Sequence, residues 1–145
     1  MTATAATSSA PLLNGQAIGI AYHAIAAVRD RLLAASGLTF HQSVALNAVA
    51  DGLDRAGAVA RMVASLKVGE PEALALLDEL ADAGLIDGPR MSVTDKGVSL
   101  QRGFTDAVAG LTERLYGELS ATEREIAARA LAHVTARANA ELAAQ

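Results

Sequence analysis

Two ring pairs and one run of acids are the parts of this 145-residue chain that carry chemistry. Tyr22 precedes His23, and Phe40 precedes His41. An imidazole changes charge near neutral pH, so it can donate a hydrogen bond or take a proton, and an aromatic neighbour supplies a flat apolar wall. If the four residues meet, they would hold an aromatic acid or a phenol. If the protein is an enzyme, His23 and His41 are its proton-transfer groups. The plainer reading of each is a partly exposed or hydrogen-bonded helix residue. His133 stands alone and reads as structural. Three His with no acid at close helical spacing form no zinc set, and the HEXXH, P-loop and GXGXXG patterns are absent. No metal and no cofactor is expected.

The acids lie in VGEPEALALLDELADAGLID, residues 68–87, which holds Glu70, Glu72, Asp78, Glu79, Asp82 and Asp87 and no Lys or Arg. At 100° per residue, positions 73, 77, 80 and 84 share one side, flanked by Leu74, Leu76 and Ala81. Glu72, Ala75, Asp78, Glu79 and Asp82 fall opposite. Outside residues 69–88 the chain has 10 acids against 12 Lys and Arg, so this segment alone makes the protein acidic, at −4 overall. Such a charge argues against a surface that coats nucleic acid wholesale.

Helices must position these groups. Hydrophobic residues are 52% of the chain, but only 3% are aromatic, which suits helices packed through alanine in a mostly α domain. Without Cys there is no disulfide framework, thiolate site or cysteine nucleophile, which fits a reducing, cytoplasmic setting. Met1 to Val28 holds no charge, yet no basic segment precedes its apolar part, and Asn14, Gln16 and His23 interrupt it; no membrane anchor is expected. Residues 1–10 are low-complexity and expected to be disordered. Residues 11–35 hold an uncharged helix buried against a partner, with Arg29 and Arg31 following as surface arginines or carboxylate anchors.

Thr39 caps a helix over FHQSVALNAVA, DGLD breaks it, and AGAVARMVASLK forms the next. Gly69 and Pro71 mark the turn into the acidic helix. Leu85 and Ile86, the turn DGPR and MSV predict a small β-hairpin. Thr94 caps a helix reaching Leu119, and SATE at 120–123 is a capping box that opens the last helix.

In order and spacing, LTFHQSVAL, VARMVASLKVGEPEALALLDELADAGLI, the hairpin, VTDKG, a long helix and LSATE resemble the MarR family of winged helix-turn-helix transcriptional regulators. The resemblance covers residues 11–145 and rests most on Leu38, Thr39, Gln42, Leu80, Gly84, Leu85, Ile86, Thr94, Lys96 and Gly97. It implies one MarR-like domain, with a winged-helix part at 38–97 and dimerisation helices at 11–37 and 98–145. It also implies a homodimer, a recognition helix in the major groove of double-stranded DNA, and a small-molecule pocket lined by Tyr22, His23, Phe40 and His41. The DNA-facing positions would be Glu72, Ala75, Asp78, Glu79 and Arg90, the sole base of a wing shorter than the family's usual Asp-Arg-Arg hairpin.

Three functions stay open at this point. One is a ligand-responsive DNA-binding regulator. Another is a repurposed winged-helix dimer that has left DNA and binds, or acts on, a hydrophobic aromatic molecule. A third is an interaction module whose acidic helix meets a basic partner.

Overall fold

The computed structural model describes residues 11–144, so the disorder expected at residues 1–10 lies outside the described residues. Its elements run α1 (Gly15–Ala34), α2 (Phe40–Ala50), α3 (Arg55–Leu66), α4 (Glu70–Asp82), β1 (Ile86–Asp87), β2 (Ser92–Val93), α5 (Asp95–Tyr116) and α6 (Ala121–Ala143). The mostly helical class with a small hairpin is as the sequence predicts. The described residues fall into two compact units that divide inside α5, between Phe104 and Thr105.

Local rules explain most boundaries. The Asn14 side chain accepts from the Ala17 N–H at 2.8 Å and starts α1 four residues later than the apolar composition implies. Helix α1 then continues through Arg29, Asp30 and Arg31, so these charges lie within the first helix and do not follow it. Thr39 and Gln42 form a reciprocal capping box on α2, and Asp54 caps α3 through the Gly57 N–H. Helix α4 opens on Gly69, with Glu70 and Glu72 in the first turn, where carboxylates complement the positive end of the helix dipole.

At the other end of α4 the expected core position 84 is exposed. The helix stops at Asp82, and Gly84 turns the chain with φ +75°, a conformation that Gly adopts without strain. Leu76, expected only to flank the buried side, is buried with Ala73, Leu77 and Leu80. Helix α5 ends at Tyr116, short of the expected Leu119, because the chain passes into a turn at Gly117.

The hairpin pairs Ile86 with Val93 and Asp87 with Ser92, antiparallel. Pro89 fits the second position of the turn closed by the Met91 N–H on the Gly88 carbonyl, while the Asp87 carboxylate accepts from the Arg90 N–H at 3.0 Å.

In the first unit, Leu33, Leu46, Met62, Leu77, Leu80, Leu85 and Ile86 make one apolar core, with Phe40, Val93 and Leu100 packed against it. Ser43 is its buried polar side chain, and the hydroxyl donates to the Phe40 carbonyl. Gly97 admits the close approach of α5 to the hairpin: a Cβ there would collide with the Leu85 carbonyl and with Val93.

The second unit contains the rest of α5 and all of α6. Ser120 and Glu123 form the capping box seen in SATE, and the Ser120 backbone N–H, which donates to Glu123 Oε1, with its hydroxyl second, holds the Glu123 carboxyl below its ordinary pKa. No α6 residue is buried, and Ile126, Leu131, Val134 and Leu142 are exposed.

Candidate ligand cleft and helix-turn-helix face

Helices α3 and α4, joined by three residues, expose the outer side of α4. Glu70, Glu72, Ala75, Asp78, Glu79 and Asp82 are all solvent-facing, as their periodicity predicts. The neighbours of α4 divide that side in two. Toward α2, Glu72 approaches His41 Nδ1 at 3.9 Å, and Glu79 accepts from Gln42 Nε2 at 3.0 Å. Toward the start of α3, Asp78 faces Arg55 Nη1 at 4.0 Å.

The Gln42 orientation follows from its capping role. Its Oε1 accepts from the Thr39 N–H at 3.0 Å, which leaves the amide nitrogen to donate to Glu79.

Arg90 sits exposed on the hairpin turn. With Arg55 and Asp78 it lines an open groove of about 690 Å³ beside α4. The charge balance of this region is unfavourable to polyanions. Residues 38–97 contain nine acids and five Lys or Arg, so the formal net charge of −4 is concentrated here. Glu70 and Glu72 also occupy the first turn of α4, where a helix would otherwise attract phosphate.

A second concavity, about 660 Å³, lies among α1, α2 and α4. It brings together Tyr22, Phe40 and His41 from the ring pairs and adds Arg29, Leu76 and Glu79. His23 is not on its wall. Adjacent helix positions point about 100° apart, and His23 is exposed beside Tyr22, ring centroids 5.5 Å apart at 71°.

Arg29 lies over the Phe40 ring, 3.6 Å from its centroid, and donates to Asp30 Oδ1 from Nε at 3.4 Å and Nη2 at 3.3 Å. The ligand residues expected from the sequence do not include Arg29, Leu76 or Glu79. Arg29 was visible only as an anchor without a ring partner, and Glu79 as one acid among several. Their convergence depends on how α1 and α4 meet α2.

His133 is exposed on α6. Among the described residues, no cluster of three His, Asp or Glu side chains could hold a metal ion, and no helix is long and apolar enough to cross a membrane.

No family model matches the chain, and no curated protein matches it in sequence. Solved structures do. The Staphylococcus aureus MepR–DNA complex is 20% identical, with a TM-score of 0.69 over 86% of this chain and 96% of that one. Rhodococcus jostii CouR bound to p-coumaroyl-CoA is 17% identical, with a TM-score of 0.68 over 83% and 90%. The Mycobacterium tuberculosis MarR family protein Rv2887 in complex with salicylic acid is 23% identical, with a TM-score of 0.62 over 86% and 98%. Together with the α3–α4 pair and its hairpin, these likenesses bear out the resemblance at the level of architecture: the chain has the winged helix-turn-helix fold of MarR-family proteins.

Proposed function

We propose that the protein is a homodimeric, ligand-responsive transcriptional regulator of MarR type, acting in the cytoplasm. One observation carries this reading: Leu76 and Glu79 of the cleft wall belong to α4, the helix that a groove reader presents to DNA. A molecule held in the cleft therefore touches the DNA-facing helix itself, and a ligand that binds one position of α4 better than another shifts its equilibrium. Of the expected ligand residues, Tyr22, Phe40 and His41 line this cleft, and His23 lies off its wall. The duplex would meet Glu72, Ala75, Asp78, Glu79 and Arg90.

Likeness in fold to one protein solved with DNA and two solved with small molecules supports the assignment by analogy. Dimerisation is supported by the apolar residues that α1 and α6 leave exposed, Ile20, Ile126, Leu131 and Val134 among them.

The test is a salt titration of binding to random and operator-selected duplexes. A regulator gives specific binding whose logarithm falls with the logarithm of salt concentration, in proportion to the phosphates neutralised. Because acids outnumber bases, the slope is expected to be shallow. Replacing Glu72 and Glu79 together by Gln is expected to strengthen nonspecific binding, most at low salt.

The excess of acids on the winged-helix part favours a second reading, a winged-helix dimer that has left DNA and binds, or acts on, an aromatic molecule through His23 and His41. No binding to any duplex at low salt, with ligand binding intact, would establish it over the first.

A further inference from the structure

The charges around the cleft specify more than an aromatic ligand. Its guanidinium is already committed: Arg29 donates twice to Asp30, stacks on Phe40, and has a side chain only 18% exposed. The imidazole of His41 has the Glu72 carboxylate beside it. A ligand carboxylate entering here meets an arginine already bonded to Asp30 and stacked on Phe40, and it approaches Asp30 and Glu79 on the same wall.

Glu79 is in the opposite position. Gln42, which holds its Oε2, is a neutral donor, so the hydrogen bond orients the carboxylate without cancelling its charge. Oε1 remains able to accept from an incoming N–H. Leu38, Phe40 and Leu76 supply apolar walls, and the half-exposed Tyr22 ring offers a face that attracts a cation. The protein's own Arg29 already occupies the corresponding face of Phe40.

We infer that the cleft selects an apolar or aromatic ammonium ion, with Glu79 as its counter-ion, over the aromatic acid or phenol that the ring pairs by themselves suggest. The inference rests on the cleft being the ligand site. The ammonium donates to Glu79, and its apolar body lies on Leu76 and Phe40. Gln42 keeps the carboxylate turned toward the ligand through the Thr39 cap.

The probes are 2-phenylethylammonium and 3-phenylpropionate, closely similar in length and ring and opposite in charge. Each is titrated calorimetrically into the full-length protein at low salt, with Tyr and Phe ring resonances followed by NMR to locate the contact. The ammonium is expected to bind about tenfold or more tightly than the carboxylate, as one charge-assisted hydrogen bond provides. Both Tyr22 and Phe40 resonances should shift. Glu79→Gln, nearly isosteric at an exposed position, should remove that preference while circular dichroism and the NMR spectrum remain native.

A carboxylate that binds as tightly as the ammonium, or a preference that survives Glu79→Gln, overturns the charge selection and leaves the cleft standing as a ligand site. If neither probe shifts the Tyr22 and Phe40 resonances, the cleft assignment fails and the inference with it.

Discussion

Leu77 in α4 and Leu131 in α6 are both leucines on helices that carry several alanines, and the structure treats them oppositely. Leu77 is 1% exposed, closed over by α2, α3 and the strand segment that follows α4; Leu131 is 44% exposed on a helix that buries nothing. The winged-helix part completes its apolar core within one chain, whereas α6 carries apolar residues that the described residues do not cover. An apolar side chain stabilises only to the extent that something removes it from water. The first region is therefore stabilised within the chain, and the second leaves its apolar residues to the proposed dimer.

Truncation gives the largest contrast. Leu77→Ala is expected to destabilise the fold by about 2–5 kcal/mol, because it removes packed methyl groups and leaves a void that α2 and α3 cannot fully close. Leu131→Ala, measured in dilute protein where any dimer has dissociated, should cost under about 0.5 kcal/mol. Urea unfolding followed by circular dichroism measures both, and equal losses would erase the distinction between the regions.

Charging the α6 surface sharpens the comparison. Ile126→Lys combined with Leu131→Lys should weaken the proposed homodimer at least about 100-fold, or about 2.7 kcal/mol, while the monomer keeps its helical content. Light scattering against concentration reads the shift. A wild-type chain that is monomeric at every concentration would remove association as the reason for this surface.

The smallest effects come from the caps, which occur in both regions. Thr39→Ala should cost about 1 kcal/mol, because the Gln42 backbone N–H loses its hydroxyl acceptor, while the Thr39 N–H that holds Gln42 Oε1 remains. Ser120→Ala should fray only the start of α6. The pH response separates the two further. Hydrogen bonds from Ser120 lower the Glu123 pKa in the folded state, so their contribution is present above the ordinary Glu pKa and is lost as pH falls through the lowered value. Acid titration of helicity should show this loss in the wild type, in weaker form in Ser120→Ala, which keeps the backbone N–H that donates to Glu123, and not in Glu123→Gln.

How much of this was legible beforehand depends on the range of the interaction. Thr39 with Gln42 and Ser120 with Glu123 announce their helix ends because capping partners lie within three residues of each other, and Gly69 with Pro71 does so because Pro suits the first helical turn. The exposed acids of α4 followed from helical periodicity. Asp82 and Gly84 show where periodicity failed: continuing the same wheel put position 84 in the core, although the helix had already ended.

The cleft shows the same limit. Tyr22, Phe40 and His41 line one concavity, but His23 lies off its wall, and Arg29 and Glu79 enter from helices whose approach no local pattern encodes. By itself the sequence determined the helices, their caps, the hairpin, the absence of thiol chemistry and the acidity of α4, since each depends on neighbours a few positions away or on composition alone. Only the tertiary structure decided that Glu72 and Glu79 turn toward α2 while Asp78 turns toward α3, and that Glu79 lines a cleft in which Arg29 is already paired. Those outcomes depend on residues 23 to 50 positions apart, such as Arg55 with Asp78, Gln42 with Glu79 and Arg29 with Glu79, brought together by packing around Leu46, Leu77 and Leu80.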